Sequence, residues 1–332
     1  MKPPCELTKP MLDFCMGISR LLGQYEGLKL QRPKPMLVRR NRIRTIQSSL
    51  EIEGNRLNEN QVTAILDNKR VMGPARDILE VQNAIKAYEK LPHYSPYQLN
   101  SLLESHKIMM QGLVPDAGRL RSKNVGILKG SRVSHVAPKP TLVLGLMRDL
   151  FAFIKNDKSV HALIKSCVFH YELEFIHPFS DGNGRIGRLW QSTLLFHYHP
   201  IFEFTPVESL IKKKRRAYYQ SLELSDKKGQ STDFVLFMLE TIRESLETLL
   251  AELPPTPETS ELRVQRAKEY FLKKSFSRKD YVQFQKTIST ATASRDLARA
   301  VQQGLLKKTG DKALAEYSFQ RKPLSFLGQV KA

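Results

Sequence analysis

The residues that suggest chemistry most clearly lie in one short segment, residues 177–188, which reads His-Pro-Phe-Ser-Asp-Gly-Asn-Gly-Arg-Ile-Gly-Arg. Gly182 and Gly184 permit positive φ angles and close backbone approach, so successive amide N–H groups can converge on an anion. A helix is expected to begin at about Gly184, and its positive N-terminal end favours a phosphate at the same point. The segment therefore predicts a phosphate-binding loop.

Charged side chains belong to the same loop. Arg185 and Arg188 lie three residues apart in the first turn of the expected helix, where cations oppose the helix dipole unless an anion lies between them. Asp181 offers a carboxylate suited to hold Mg²⁺ on the phosphates. His177 titrates near neutrality and can take a proton from an attacking hydroxyl. An anion clamp, a metal ligand and a base are the parts that phosphoryl-type transfer requires.

This segment resembles the signature of the Fic family of nucleotide transferases, His-x-Phe-x-(Asp/Glu)-Gly-Asn-Gly-Arg-x-x-Arg, and matches it at every defined position. The resemblance implies that His177 activates the hydroxyl of a Ser, Thr or Tyr in a target protein. It also implies that Phe179 anchors the loop in the core and that Asp181 holds Mg²⁺. The implied reaction is attack of the hydroxyl on the α-phosphorus of ATP, which transfers AMP and releases pyrophosphate.

The family resemblance also assigns the phosphate contacts. Gly182, Asn183 and Gly184 are expected to bind the α- and β-phosphates, while Arg185 and Arg188 hold the β/γ end. The glycine spacing satisfies a dinucleotide-binding fingerprint as well, but a helix rather than a strand precedes it, which disfavours that interpretation.

A second segment, residues 49–54, resembles the inhibitory motif of the family, (Ser/Thr)-x-x-x-Glu-(Gly/Asn), through Ser49, Glu53 and Gly54. It lies on a helix N-terminal to the loop. The resemblance implies that Glu53 pairs with Arg185 and keeps the γ-phosphate from its productive position. The alternative is an ordinary surface carboxylate near a helix end, where an acid is disfavoured.

Two further features match the family pattern, which covers about residues 38–225. The stretch 118–139, rich in Gly, Ser, Lys and Val, predicts a short exposed hairpin and resembles the flap that holds the target segment by strand addition. Tyr218 and Tyr219 follow the loop in a helix, where the family often shows a tyrosine pair near the nucleotide. They are predicted either to contact adenine or to be core and rim residues.

The elements that must position these residues are mainly helical. Pro178 is expected to end the preceding helix near Ile176, and Asn58 to cap a helix that follows the inhibitory motif. Helical patterns cover about residues 38–53, 58–68, 76–91, 96–112, 140–155 and 159–176. The predicted fold class is a helical Fic-type core with a β-hairpin flap and a small C-terminal winged helix-turn-helix domain. The predicted domains are residues 1–92 (helical, with the inhibitory helix), 93–250 (catalytic core), 251–260 (Pro-rich linker) and 261–332 (winged helix).

The C-terminal prediction depends on the order helix, helix, helix, hairpin after the linker. Residues 261–332 contain sixteen Lys and Arg against six Asp and Glu, so DNA is one expected partner of this region. Ser289, Thr290, Thr292 and Arg295 occupy the start of the expected recognition helix. A protein-docking or dimerisation element is the equal alternative.

The composition agrees with a globular protein: 332 residues, 41% hydrophobic, 26% charged and a net charge of +20. No apolar stretch of 18 residues and no secretory signal are read, and three scattered cysteines do not suggest a disulfide framework, so a cytoplasmic setting is expected. The functional expectation is an autoinhibited protein adenylyltransferase that uses ATP and Mg²⁺. Expected partners are a target protein along the hairpin, the enzyme itself through self-modification, and a second copy in a homo-oligomer. Removal of AMP by the same site, and a DNA-binding regulator, remain alternatives.

Overall fold

The computed structural model describes residues 2–27, 35–129, 132–253, 259–272, 274–286, 288–311 and 314–320, and for residues 126–129 and 132–136 it describes the backbone alone. The chain forms two compact units, Met1–Pro254 and Pro255–Ala332. Among the described residues no helix is long and apolar enough to cross a membrane.

In its described residues, the first unit consists mainly of helices and contains one hairpin. Its helices are α1 (Lys9–Gly27), α2 (Pro35–Ile52), α3 (Glu59–Leu66), α4 (Ala75–Glu89), α5 (Leu99–Met109), α6 (Pro140–Asn156), α7 (Ala162–Ile176), α8 (Asn183–Tyr198), α9 (Val207–Lys213), α10 (Arg215–Lys228) and α11 (Thr232–Glu252). The hairpin pairs β1 (Gly126–Lys129) with β2 (Arg132–Val136) in antiparallel fashion. The hairpin predicted within residues 118–139 is confirmed.

Helix α7 lies in the middle of this unit, and ten of its fifteen residues are buried. It packs along α8, α11 and α6. The approach to α8 is close at Gly187, where a Cβ atom would lie 2.9 Å from the His170 ring. The loop between α7 and α8 is residues 177–182, so the two best-buried helices hold the predicted phosphate loop between them.

Local sequence signals explain the ends of the helices around the site. Asn58 caps α3 with a capping box to Gln61, as predicted. Helix α7 ends at Ile176, before Pro178, also as predicted. Helix α2 ends just before Gly54, whose φ of +98° allows the left-handed turn that closes the helix.

The second unit has its own small core, formed by Val264, Ala267, Phe276, Tyr281, Ala293, Leu297, Ala300 and Leu306. Its elements are α12 (Ser260–Phe271), β3 (Phe276–Ser277), α13 (Arg278–Gln285), α14 (Thr290–Gln302), β4 (Leu306–Thr309) and β5 (Glu316–Phe319). The strands form an antiparallel sheet in the order β3-β5-β4. This is the order of a winged helix-turn-helix, with the short strand β3 in addition to the predicted hairpin.

Candidate active site

The backbone of the loop is held by Arg121, a buried residue that precedes β1. Its backbone N–H donates to Pro178 O at 2.9 Å, and its guanidinium donates to His177 O at 2.7 Å and to Ile176 O at 3.3 Å. Three successive carbonyl oxygens at the end of α7 therefore bond to one residue, two of them to its cationic side chain and one to its backbone N–H. These carbonyls would otherwise lack partners, as helix C-termini do.

The predicted anchor Phe179 is fully buried and stacks on the His106 ring at 3.7 Å between centroids. The side-chain amide of Asn183 closes the loop, since it accepts from Phe179 N and donates to Phe179 O, each at 2.9 Å. His106 Nδ1 accepts from a backbone N–H, so its Nε2 carries the proton that bonds Asp181 O at 3.0 Å. The loop is therefore held in shape by side chains from α5 and α8.

His177 has a φ of +50°, in the left-handed region that a non-glycine residue seldom adopts. Its Nδ1 lies 3.4 Å from Glu174 O. Because a carbonyl oxygen only accepts, Nδ1 carries the proton and Nε2 is the nitrogen that can take one. The loop therefore presents His177 in the tautomer that a general base requires, on a strained backbone that Arg121 holds in place.

The predicted inhibitory motif contacts Arg188, whose side chain is only 1% exposed. Glu53 accepts from Arg188 Nη2 at 2.8 Å. Ser49, one turn earlier on α2, accepts from the same guanidinium through Oγ at 3.1 Å and through its carbonyl at 2.8 Å. The expectation that Glu53 pairs with Arg185 is wrong. Ser49, in the last turn of α2, and Glu53, directly after this helix, are four residues apart, and both contact the deeper arginine, one turn inside α8.

Arg185 has other partners. Its Nη1 donates to Glu80 Oε1 of α4 at 3.1 Å, and its Nη2 donates to Asp181 Oδ1 at 3.1 Å. Buried Nε of Arg185 and buried Nη1 of Arg188 have no hydrogen-bond acceptor among the residues that the structure describes. Buried donors of a charged group are costly to leave unpaired, so each arginine retains a donor suited to an anion.

The glycines of the loop have distinct roles. Gly182 has a φ of +87°, and a Cβ atom there would lie 2.6 Å from Met110 Sδ. At Gly184, in the first turn of α8, a Cβ atom would lie 2.3 Å from Glu53 Oε1. A carboxylate therefore already lies at the helix N-terminus, the position that the helix dipole favours for a phosphate.

Asp181 fits the predicted role in Mg²⁺ binding through its chemistry and exposure. Its side chain is 42% exposed at the mouth of the loop. Among the described residues no group of three or more His, Cys, Asp or Glu side chains could hold a metal. Mg²⁺ is commonly held by one or two carboxylates together with substrate phosphates, so a single carboxylate beside a phosphate loop is a suitable donor set.

The two candidate adenine contacts differ in depth. Tyr218 is 1% exposed, and its hydroxyl lies 3.1 Å from Nε2 of the buried His170. It is therefore a core residue in this conformation, as the alternative interpretation had it. Tyr219 is half-buried, with its hydroxyl 3.5 Å from Ile52 O at the end of α2 and the guanidinium of Arg215 over its ring. Of the pair, only Tyr219 is partly exposed.

A second carboxyl group, Glu174 of α7, lies near the Glu53–Arg188 pair. Its Oε1 is buried, 3.9 Å from His170 Nε2 and without a hydrogen-bond partner among the described residues. Burial, and then the negative charge of Glu53, raise the pKa of Glu174 to about 8. The raised pKa favours the protonated form of Glu174 at neutral pH.

Sequence reasoning missed Arg121, His106, Glu80, Arg76 and Glu174. Arg76 carried one usable signal, because it lies in the first turn of α4, where a cation opposes the dipole unless acids are near. The other four come from separate helices or loops, and nothing in their local spacing indicates that they meet at this loop.

Comparison with known proteins places these features in a family. Residues 96–195 match the Fic/DOC family model. Over its full length the chain is similar to a Fic family protein from Desulfovibrio desulfuricans G20, with 36% identity, a TM-score of 0.73, and coverage of 97% of this chain and 99% of that one. A Fic-1 fragment from C. elegans shares the fold at 22% identity and a TM-score of 0.56, covering 72% of this chain and 73% of that one.

Curated relatives include proteins named "Protein adenylyltransferase Fic". One from Drosophila grimshawi is 27% identical over 235 residues, which is 68% of this chain and 46% of that protein. One from Culex quinquefasciatus is 29% identical over 220 residues, which is 63% of this chain and 41% of that protein. The chain therefore spans less than half the length of these relatives.

Proposed function

Because the chain belongs to the Fic/DOC family, we propose that it transfers AMP from ATP to a hydroxyl side chain of a target protein. The observation that carries the proposal is the pair of buried arginines on α8. Arg185 and Arg188 each keep one buried donor without an acceptor in the part of the chain that the structure describes, beside a glycine loop at a helix N-terminus. The names of the curated relatives support the same activity.

The proposed reaction assigns a task to each group. His177 Nε2 takes the proton of the attacking hydroxyl, whose oxygen forms a bond to the α-phosphorus. The bond from the α-phosphorus to the bridging oxygen breaks, and pyrophosphate leaves. Backbone N–H groups at 182–184 bind the phosphates, and Arg185 and Arg188 stabilise the charge that develops on the leaving group. Asp181 would hold Mg²⁺, which supplies charge neutralisation on the phosphates.

We further propose that Glu53 inhibits this reaction. Glu53 takes a donor of Arg188 and lies against Gly184, so its carboxylate occupies space beside the anion site. A charge-assisted hydrogen bond to a buried partner contributes on the order of 1.5–3 kcal/mol. Competition for Arg188 at that strength would suppress productive binding of the γ-phosphate by roughly ten- to a hundredfold.

The experiment is labelling with ATP that carries the isotope on the α-phosphate, with the purified protein and with a cell lysate. Glu53→Gly should label itself or a target more strongly than wild type by roughly ten- to a hundredfold. Adding His177→Ala to that variant should lower labelling by about 10² to 10⁴, the usual contribution of a positioned general base. Glu51→Gly is the matched control, since Glu51 lies on the same helix but pairs with Lys212.

Equal labelling of wild type and Glu53→Gly would remove the inhibitory role, and undiminished labelling without His177 would remove the base. Removal of AMP is the alternative activity of the same site. It predicts that wild type strips label from a target that Glu53→Gly has modified, and that Glu53→Gly does not.

The proposed target binds as an extended segment along the hairpin. Strands β1 and β2 form an isolated two-stranded antiparallel pair, and an exposed strand edge can accept a third strand through backbone hydrogen bonds. We propose a reducing, cytoplasmic setting, which the three free cysteines support.

A second candidate function is DNA binding by the C-terminal unit. It is favoured by several exposed cationic side chains that form no ion pair with a described residue. Exposed Arg278, Lys279, Lys286, Arg295 and Lys307 form no ion pair with a residue that the structure describes, whereas Arg263, Arg299 and Lys308 do. Arg278 donates to Ser294 Oγ at 3.1 Å, which joins the start of α13 to the face of α14. In a helix-turn-helix these positions meet the phosphate backbone and the major groove.

Of the residues on and before α14 that are predicted to contact DNA, one also has a structural role. Ser289 Oγ accepts from Thr292 N and caps the helix, so Arg295 is the stronger candidate for a DNA contact. The full chain should bind a labelled duplex at about 50 mM salt, with an affinity that falls steeply as salt rises. Arg295→Glu should weaken binding, whereas Lys227→Glu in the first unit should not. Absence of binding at low salt would favour the protein-docking alternative.

A further inference from the structure

Four side chains close a ring of ion pairs over the mouth of the phosphate loop. Arg76 of α4 contacts Glu80 Oε1 through Nε at 3.5 Å and Asp181 Oδ2 through Nη2 at 3.3 Å. Arg185 contacts Glu80 Oε1 at 3.1 Å and Asp181 Oδ1 at 3.1 Å. The ring has no net charge, and it includes the carboxylate assigned to Mg²⁺ and one of the two phosphate arginines.

We propose that Arg76 is a second inhibitory residue, which acts on the metal ligand Asp181 rather than on Arg188. The proposal rests on the proposed nucleotide-transfer function. Both oxygens of Asp181 are engaged: Oδ1 accepts from Arg185 and from Gly182 N, and Oδ2 accepts from Arg76. A guanidinium against a carboxylate oxygen competes directly with a divalent cation for that oxygen.

Of the three hydrogen-bond donors to Asp181, Arg76 is the one whose side chain can move away from the carboxylate. Gly182 N belongs to the loop backbone, and Arg185 is 5% exposed and needed for the phosphates. Arg76 is 61% exposed and comes from the first turn of a separate helix. Rotation of its side chain into solvent would release Oδ2 without moving the loop.

The ring also reaches the inhibitory helix. Glu80 Oε2 accepts from Asn55 Nδ2 at 2.9 Å, and the same amide donates to Asp77 O at 3.1 Å. Asn55 directly follows the Glu53-Gly54 pair that ends α2. One carboxylate, Glu80, therefore contacts the end of the inhibitory helix, the exposed Arg76 and the phosphate arginine Arg185. This arrangement places both inhibitory contacts in one connected network.

The test is a Mg²⁺ titration in the Glu53→Gly background, where the first inhibitory contact is absent. At saturating ATP, Arg76→Ala should lower the Mg²⁺ concentration that gives half-maximal self-labelling by about two- to fivefold, the range expected for a largely exposed ion pair. The maximal rate should not change. Lys86→Ala is the matched control, because it removes one exposed cation from the same helix outside the ring.

A second measurement does not depend on catalysis. Mn²⁺ can serve as a paramagnetic probe of the metal site, and its binding in the presence of ADP can be followed by electron paramagnetic resonance. Arg76→Ala should tighten Mn²⁺ binding by the same factor. An unchanged or raised metal requirement in both measurements would overturn the proposal. Failure of the proposed function would look different: Glu53→Gly would then neither label nor bind Mn²⁺ with ADP.

Discussion

The two ends of the candidate site are closed by the same kind of contact at different depths. At one end Glu53 pairs with Arg188, whose side chain is 1% exposed. At the other end Arg76, 61% exposed, pairs with Asp181, 42% exposed. Both contacts join a carboxylate to a guanidinium, and each occupies a group that the proposed reaction would use.

The burial of each contact determines how much free energy is lost when the contact breaks. Breaking a buried pair leaves an uncompensated charge where water cannot reach it, whereas an exposed pair exchanges its partners for water at little cost. The deep contact is therefore suited to the proposed inhibition of the enzyme. The exposed contact is suited to the proposed control of the Mg²⁺ concentration that the enzyme requires.

The largest expected effect is on stability at the deep end. Arg188→Ala should lower the free energy of unfolding by about 2–5 kcal/mol, because it removes a fully buried side chain together with its charged hydrogen bonds to Ser49 and Glu53. Urea denaturation followed by Trp190 fluorescence measures it, because the single tryptophan is buried in α8 and reports on the first unit. Removing Glu53 as well should recover part of the loss. A loss below about 1 kcal/mol would mean that the deep contact behaves as an exposed one.

An intermediate effect on the free energy of unfolding is expected from Glu174, whose pKa is raised to about 8 by burial and by the charge of Glu53. Between about pH 4.5 and 8 the folded state keeps a proton that the unfolded state has lost, so stability falls as pH rises through this range. Glu174→Gln should remove the contribution of this group to the pH dependence of stability. One pKa unit corresponds to about 1.4 kcal/mol, so the contribution amounts to up to a few kcal/mol.

The same denaturation curves, recorded at several pH values, give the comparison between Glu174→Gln and wild type. Glu172, whose pKa is raised to about 7, adds its own slope in both proteins, so the difference between the curves is the relevant quantity. Glu53→Gly should reduce the contribution of Glu174, because it removes one cause of the raised pKa. Parallel curves for Glu174→Gln and wild type would contradict the assignment.

The smallest effect on the free energy of unfolding is expected from the exposed contact between Arg76 and Asp181. Arg76→Ala should change the free energy of unfolding by less than about 1 kcal/mol, the usual limit for an exposed ion pair. The same fluorescence measurement applies. A loss as large as that of Arg188→Ala would show that the ring is structural and would remove the contrast between the two ends.

Much of the site followed from local sequence rules. The end of α7 before Pro178, the glycine turn at Gly182 and the cap at Asn58 depend on backbone preferences of a few residues. The hairpin and the helices around it followed for the same reason. Such features are determined within a few positions of the chain, so one sequence is enough to predict them.

The errors concern depth and distant contacts. Arg185 and Arg188 lie on one helix face, and spacing alone does not say which of them is nearer to α2, so Glu53 was assigned to the wrong arginine. Tyr218 and Tyr219 differ by one position and therefore point in different directions from α10, but only packing decides which one is buried. Arg76 lies over one hundred positions from Asp181, and no local pattern indicates that contact.

The hold of Arg121 on the loop has a consequence for the speed of activation. Because Arg121 fixes the carbonyls of Ile176 and His177 through its side chain and that of Pro178 through its backbone N–H, the loop has its shape before any nucleotide arrives. Under the proposed mechanism, the resting and active states then differ by rotation of side chains rather than by rearrangement of the loop. Exposed side chains such as that of Arg76 rotate within about picoseconds to nanoseconds, far faster than loops rearrange. Rapid mixing of ATP with Glu53→Gly, which lacks the deep contact, should therefore show product formation without a lag.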